Sequence, residues 1–241
     1  MERHFQRELE SLKTTLVKMG SVVEGNLGDA IQAVLEKNEH LASQVIDKDK
    51  RVDDLEIEID NAVIDLLALQ QPMASDLRFI LAAQKINNDL ERIGDHAVNI
   101  AQSGLALCKL ADTVTLDEIP RMTGIAKTML KDALDAFILL DPSKARRVLT
   151  SDDEIDNLNR EVAKKVIELV KNNTRTIECG LELSRVSRNL ERVGDLATNI
   201  AEEVIFHTQA RVVKHHADEH VGEHEKRKDE AGLGHAGPIE G

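Results

Sequence analysis

Residues 90–101 read LERIGDHAVNIA, and residues 190–201 read LERVGDLATNIA. Leu90, Ile93, Ala97, Ile100 and Ala101 recur at the spacing of one apolar helix face, and that face returns in the second copy. A duplicated packing element needs only those apolar positions to persist. Here the polar ones persist as well: Glu91/Glu191, Arg92/Arg192, Asp95/Asp195 and Asn99/Asn199. Glu91, Asp95 and Asn99 stand at i, i+4 and i+8, one above another along a ridge that borders the apolar face.

The duplication extends well beyond these helices. The stretch LGDAIQAVLEKNEHLASQVIDKDKRVDDLEIEI from Leu27 aligns without a gap on LKDALDAFILLDPSKARRVLTSDDEIDNLNREV from Leu130. Asp29/Asp132, Ala42/Ala145, Asp49/Asp152, Asp53/Asp156, Leu55/Leu158 and Glu58/Glu161 coincide, and the offset changes from 103 to 100 in the turn before each motif helix. A period near 100 residues is too long for a solenoid and indicates a duplicated domain.

Apolar spacing predicts three helices per half. The first covers about 5–37, softened by Gly20, Gly25 and Gly28, and the second runs from about 41 to the stop at Pro72. Ser75 is the expected cap of the third, with Asp76 in its first turn, and that helix continues to about Lys109. Helices near 117–140, 143–172 and 177–213 repeat the plan. The expected fold is all-α: two tandem antiparallel three-helix bundles related by internal duplication, with domains at 1–111 and 112–213 and a disordered His-rich tail at 214–241.

Composition agrees with this reading. The 241 residues include no Trp, no Tyr and four Phe, so the core must be aliphatic, and four prolines leave room for long helices. A formal charge of -13 argues against nucleic acid or an anionic membrane as the main partner and favours cations or basic protein surfaces. Cys108 and Cys179 occupy unmatched positions and form no CxxC, so both read as reduced thiols. The N-terminus lacks the apolar region of a signal peptide, and no stretch is apolar enough to span a bilayer; a cytoplasmic protein without direct membrane insertion is expected.

Two acids at i, i+4 repel one another by about 0.2 to 0.5 kcal/mol, more when desolvated, so something positive is expected between them. One source is an arginine: Arg92 and Arg192 lie within i+3 reach of the motif aspartates, and Arg188 lies near Glu191. The other is a metal ion, for which carboxylate and amide oxygens suit magnesium, manganese or iron. On that reading the ligands are Glu91, Asp95, Asn99, Glu191, Asp195 and Asn199, with Asp53, Glu58, Asp156 and Glu161 as weaker contributors from the preceding helix. Glu56 and Asp60 are acidic in the first half only, where Asn159 and Ala163 replace them. Gly94 and Gly194 cost about 1 kcal/mol each in a helix relative to alanine, so their recurrence implies a close backbone approach. His96 becomes Leu196 and is set aside as a shared ligand, while His216, His220 and His224 would align for a transition metal if helical.

Both full copies of Glu-x-x-x-Asp-x-x-x-Asn, together with QQPMASDLR at 70–78, make the chain resemble the PhoU family from His4-Phe5 to about Phe206. The resemblance implies a cytoplasmic, homodimeric, non-enzymatic regulator, peripheral to the inner membrane only through protein partners. It further implies multinuclear iron or zinc on the acidic stripes, docking on the nucleotide-binding subunit of the phosphate ABC transporter, and restraint of the phosphate-starvation response through a sensor histidine kinase. The unmatched Glu56 and Asp60 and the His-rich tail depart from the family pattern. Two further classes are a carboxylate metalloenzyme or metal store, and an accessory to a low-affinity phosphate permease. The first is disfavoured because helical di-iron sites use Glu-x-x-His, and no Glu in this chain has His three positions on. No nucleophile elbow or Walker motif is present either.

Overall fold

Seven α-helices and one short 3-10 turn account for nearly all of the described residues, with no strand among them. The structure is a computed structural model that describes residues 2–70, 72–111 and 113–209. The expected tail, with His216, His220 and His224, lies outside the described residues. In order, the helices are α1 (Glu2–Glu36), α2 (Glu39–Lys48), α3 (Lys50–Gln70), α4 (Ala74–Cys108), α5 (Glu118–Leu139), α6 (Pro142–Asn172) and α7 (Ile177–Gln209). The fold is all-α, with α1 to α4 forming one half and α5 to α7 the other.

The duplication is visible in the backbone. The first helix of each half ends on a left-handed residue, Lys37 with φ 52° and Leu140 with φ 51°, and the next helix starts from an extended capping residue. Asn38 accepts the Leu41 N–H at 3.0 Å; Asp141 accepts those of Ser143 and Lys144 at 2.9 and 3.1 Å, with Pro142 opening the helix, where its missing N–H is not needed.

Three local expectations need correction. The second helix of the first half is not continuous: it divides at Asp49, whose dihedrals remain right-handed helical while Val52 N–H donates to the Asp49 carbonyl at 2.7 Å. This tightened turn has no Gly or Pro to announce it, and the aligned α6 runs through the same point unbroken. The residue at the cap of α4 is Met73, with Ser75 inside the first turn, because the chain emerges from Pro72 one step earlier than a serine cap requires. Gly20, Gly25 and Gly28 do not interrupt α1. A Cβ on Gly20 would come within 2.9 Å of the Leu134 side chain on α5, so this glycine permits contact between the halves rather than flexibility within a helix.

One aliphatic core runs through both halves, from Leu9 on α1 to Ile205 on α7, with Phe137 the largest fully buried side chain. The halves meet chiefly along α4 and α7. Lys85 reaches Glu203 at 2.6 Å, the Asp89 carboxylate accepts a hydrogen bond from Asn199, and His96 Nδ1 lies 2.8 Å from Asn189 Oδ1. Early residues of α4 therefore meet late residues of α7, and late meet early, so the helices are antiparallel. The pairing of 89 with 199 is mirrored, within a turn, by that of 96 with 189, which gives an approximate two-fold between the halves.

Candidate metal centre

The ridge expected from the sequence faces the preceding helix in each half. In the second half, Glu191 and Asp195 on α7 meet Asp156 on α6, and one carboxylate oxygen from each lies within 4.8 Å of the other two. Among the described residues this is the one such convergence of three acidic, His or Cys groups. Burial pushes the Glu191 carboxyl above the usual carboxylate range; Asp195 adds to the rise, Arg192 opposes it, and Asp156 and Asp152 add to it again. Glu191 Oε2 is buried and makes no hydrogen bond.

An arginine does enter this site. Arg192 donates to Asp195 Oδ2 at 2.7 Å, and its Nε lies 3.5 Å from Glu191 Oε2, close enough for attraction but outside hydrogen-bond geometry. Arg192 itself is more than half exposed, so its guanidinium only partly offsets the local charge, and Arg92 lines the same cavity as Arg192, beside Asp152 and Asp195.

The first half holds more acid and less compensation. Glu91 and Asp95 on α4 face Asp49 at the break between α2 and α3, with Asp53 and Glu56 on α3. Burial raises the Asp49 carboxyl to about 6, helped by Asp53 and Asp95. Burial likewise raises Glu91, reinforced by Asp95, Glu56, Asp53 and Asp49, and raises Glu56, reinforced by Asp60, Asp53 and Asp95. Arg92, the counterpart of Arg192, instead turns to Asp89 at 3.7 Å on the seam with α7. The mutual reinforcement of these shifts shows that the carboxylates share one field, although their oxygens are spread more widely than in the second half.

Several expected ligands stand elsewhere. Glu58 is exposed and accepts from Thr15 Oγ1 at 3.3 Å on α1, and Glu161 is exposed on the side of Lys165, which pairs with Glu118. Neither belongs to a cluster. Asn199 is committed to Asp89 across the seam, and Asn99 is exposed on α4. Asp60 accepts from Gln84 and Asn87, both at 2.8 Å, and so joins α3 to α4 below the cluster. His96 also faces the seam rather than the ridge.

Asp49 and Asp152 were missed as cluster members. Their signal was in the sequence: each survives the duplication, and each stands four residues before Asp53 or Asp156, on the same helical ridge.

Gly94 and Gly194 lie where the motif helices press against these neighbours. A Cβ on Gly94 would sit 3.2 Å from Asp49 Oδ1, and one on Gly194 would sit 3.1 Å from Ile155 Cγ2. The glycines therefore bring the acidic ridges close to α2, α3 and α6. Each site is an all-oxygen set, on α6 and α7 in the second half and on α4 and the α2–α3 break in the first, and the buried Glu191 Oε2, which makes no hydrogen bond, fits a hard or intermediate cation.

The PhoU domain model matches residues 16–104 and again 119–204, one copy on each half. The chain belongs to the PhoU family. A phosphate-specific transport system accessory protein PhoU homolog of Clostridium acetobutylicum is 36% identical over 203 residues, 84% of this chain and 93% of that one. The phosphate-specific transport system accessory protein PhoU of Escherichia coli K12 is 34% identical, over 88% of each chain. The crystal structure of PhoU from Pseudomonas aeruginosa superimposes with a TM-score of 0.84 at 34% identity, covering 86% of this chain and all of that one. That of the phosphate transport system regulatory protein PhoU from Streptococcus pneumoniae gives 0.82 at 30%, covering 88% and 100%. PhoU proteins are regulatory accessories and not enzymes. No helix among the described residues is long and apolar enough to cross a membrane.

Proposed function

We propose that this PhoU-family chain is a cytoplasmic signalling adaptor of phosphate-specific transport. It docks on the nucleotide-binding subunit of the phosphate ABC transporter when phosphate is plentiful, and restrains the phosphate-starvation response through a sensor histidine kinase. The working form is a homodimer held near the inner membrane by its protein partners. The observation that carries this reading is similarity over both halves to relatives named as accessory proteins of phosphate-specific transport.

Metal ions on the two acidic clusters are part of the proposal. Asp156, Glu191 and Asp195, with Asp152 beside them, would hold one site; Asp49, Asp53, Glu91 and Asp95, with Glu56 at the edge, would hold the other. Iron or zinc, in multinuclear form, suits the number of carboxylates, and magnesium or manganese is the simpler oxygen-loving alternative. A bound cation supplies positive charge. The chain's own contribution is to fix where that charge is needed: Gly94 and Gly194 set the helix spacing, and Asp60 ties α3 to α4 through Gln84 and Asn87. Bare carboxylates repel phosphate, so direct phosphate sensing by these ridges alone is disfavoured.

The test is genetic. Deleting the gene and measuring phosphate-starvation reporter output in high phosphate should give derepression that the wild-type gene reverses. Unchanged repression in the deletion strain would remove the regulatory reading.

A further inference from the structure

We propose that the outer face of the α3–α4 hairpin is a docking groove for a basic amphipathic helix of a partner protein. This rests on the adaptor reading, in that a signalling adaptor without enzymatic chemistry must act through a surface.

The register of the hairpin is set by Asp60, which bonds Gln84 and Asn87. One turn further toward the tip, antiparallel packing brings Ile64 and Leu67 of α3 beside Leu81 and Leu77 of α4. All four are exposed, Ile64 by 61% and Leu81 by 43%, and Met73 at the tip is exposed by 76%. Single exposed apolar side chains are ordinary, but a row of them along the groove between two helices is a binding feature. The row recurs in the second half, where Ile167, Ile177 and Leu181 stand at the positions of Ile64, Leu77 and Leu81 and are exposed too. Water contact at these positions has therefore persisted through the duplication.

Charge distinguishes the two copies and names the occupant. From residue 60 to residue 81 the sequence carries the acids Asp60, Asp65 and Asp76 against one base, Arg78. The matching stretch of the second half, residues 163–181, carries Lys164, Lys165, Lys171 and Arg175 against Glu168 and Glu178. The first-half groove is thus apolar along its floor and acidic along its flank, complementary to a helix with Leu-type residues at i, i+3, i+4 and i+7 and Lys or Arg beside them. An all-helical surface offers no strand edge for an extended peptide. An anionic bilayer would be repelled, and a two-fold pairing of this face with itself would set the acids of α3 against one another.

The experiment uses the full-length protein and a fluorescent synthetic Leu/Lys peptide of about five helical turns, with an isomer of the same composition that has no apolar face. Anisotropy at near-physiological salt should show binding of the first peptide and about tenfold weaker binding of the isomer. Leu77→Ser with Leu81→Ser should weaken peptide binding by about tenfold or more, whereas Leu181→Ser in the second half should change it by less than about twofold. Circular dichroism checks that each variant remains helical. Hydrogen exchange should show peptide-dependent protection at residues 64–81 and not at 167–181. Equal binding of the isomer, or an undiminished double variant, would overturn the proposal. It would also be overturned if light scattering showed a dimer that the double variant dissociates, which would assign the face to a second copy. Vesicle binding lost in that variant would overturn it in favour of lipid. A failed peptide assay beside intact derepression on gene deletion would sink the groove and leave the adaptor standing.

Discussion

Gly94 and Asp49 approach so closely that a Cβ on the glycine would lie 3.2 Å from the Asp49 carboxylate. The contact joins a motif helix to the point where α2 and α3 part, and it holds an acid of raised pKa against a ridge of other acids. Replacing Gly94 by Ala should gain about 1 kcal/mol of helix propensity and lose a similar amount by displacing Asp49, leaving stability within about 1 kcal/mol of wild type. Metal uptake by the first cluster should fall. Urea unfolding and elemental analysis of the same samples separate the two effects.

Gly194→Ala should cost more, because its Cβ would meet the fully buried Ile155 at 3.1 and 3.4 Å, whereas that of Gly94 would share its contacts between the buried Val52 and the Asp49 carboxylate, which can shift. Overpacking there should cost about 1 to 2 kcal/mol net in urea unfolding. A variant as stable as wild type would mean that α6 and α7 can separate slightly without penalty.

Arg192 tests whether protein charge alone is sufficient at the second cluster. Its pairs with Asp195 and Glu191 are partly exposed, so Arg192→Ala should lower stability by less than about 1 kcal/mol while leaving bound metal unchanged or increased. Asp195→Asn together with Glu191→Gln should lower metal content, read by elemental analysis of untagged protein. If wild type, freshly purified from iron- and zinc-replete cells and also dialysed against magnesium, carries none, the metal part of the proposal fails.

Asp89 gives the clearest pH dependence. Burial raises its carboxyl from the ordinary 3.8 to about 6, against the lowering effect of the Asn199 hydrogen bond and of Arg92, with Glu203 raising it slightly and Lys85 lowering it. The folded state therefore binds the proton more tightly than the unfolded one. Its ionisation opposes folding progressively from about pH 4 to about pH 6, and that cost is fully present above pH 6. Asp89→Asn should accordingly stabilise the protein by about 1 kcal/mol at pH 7.5 and by little or nothing at pH 4. Chemical denaturation at both pH values checks the sign; an equal effect at both would show that packing, not charge, is responsible.

Much of this molecule was legible because its information is periodic. The apolar spacing gave the helices around both motifs, and the 103- and 100-residue offsets gave two equivalent halves. The ridge of Glu91 and Asp95, and of Glu191 and Asp195, followed from i, i+4 geometry, and the facing Asp53 and Asp156 from their survival in the duplication. Glu58 and Glu161 survived it too, yet they face away from the clusters. Conservation between two copies marks a position as useful and says nothing of the direction in which it points.

The sequence by itself determined an all-helical, internally duplicated chain with a surplus of acid at matched places, since helical periodicity and charge are local properties. Only the tertiary structure decided that Asp49 joins the first cluster, that Asn199 serves Asp89 instead of the ridge, and that Arg192 enters its site while Arg92 leaves. Those outcomes depend on how α4 crosses α7 and on where α2 yields to α3, and crossing geometry is set by packing between segments far apart in the chain.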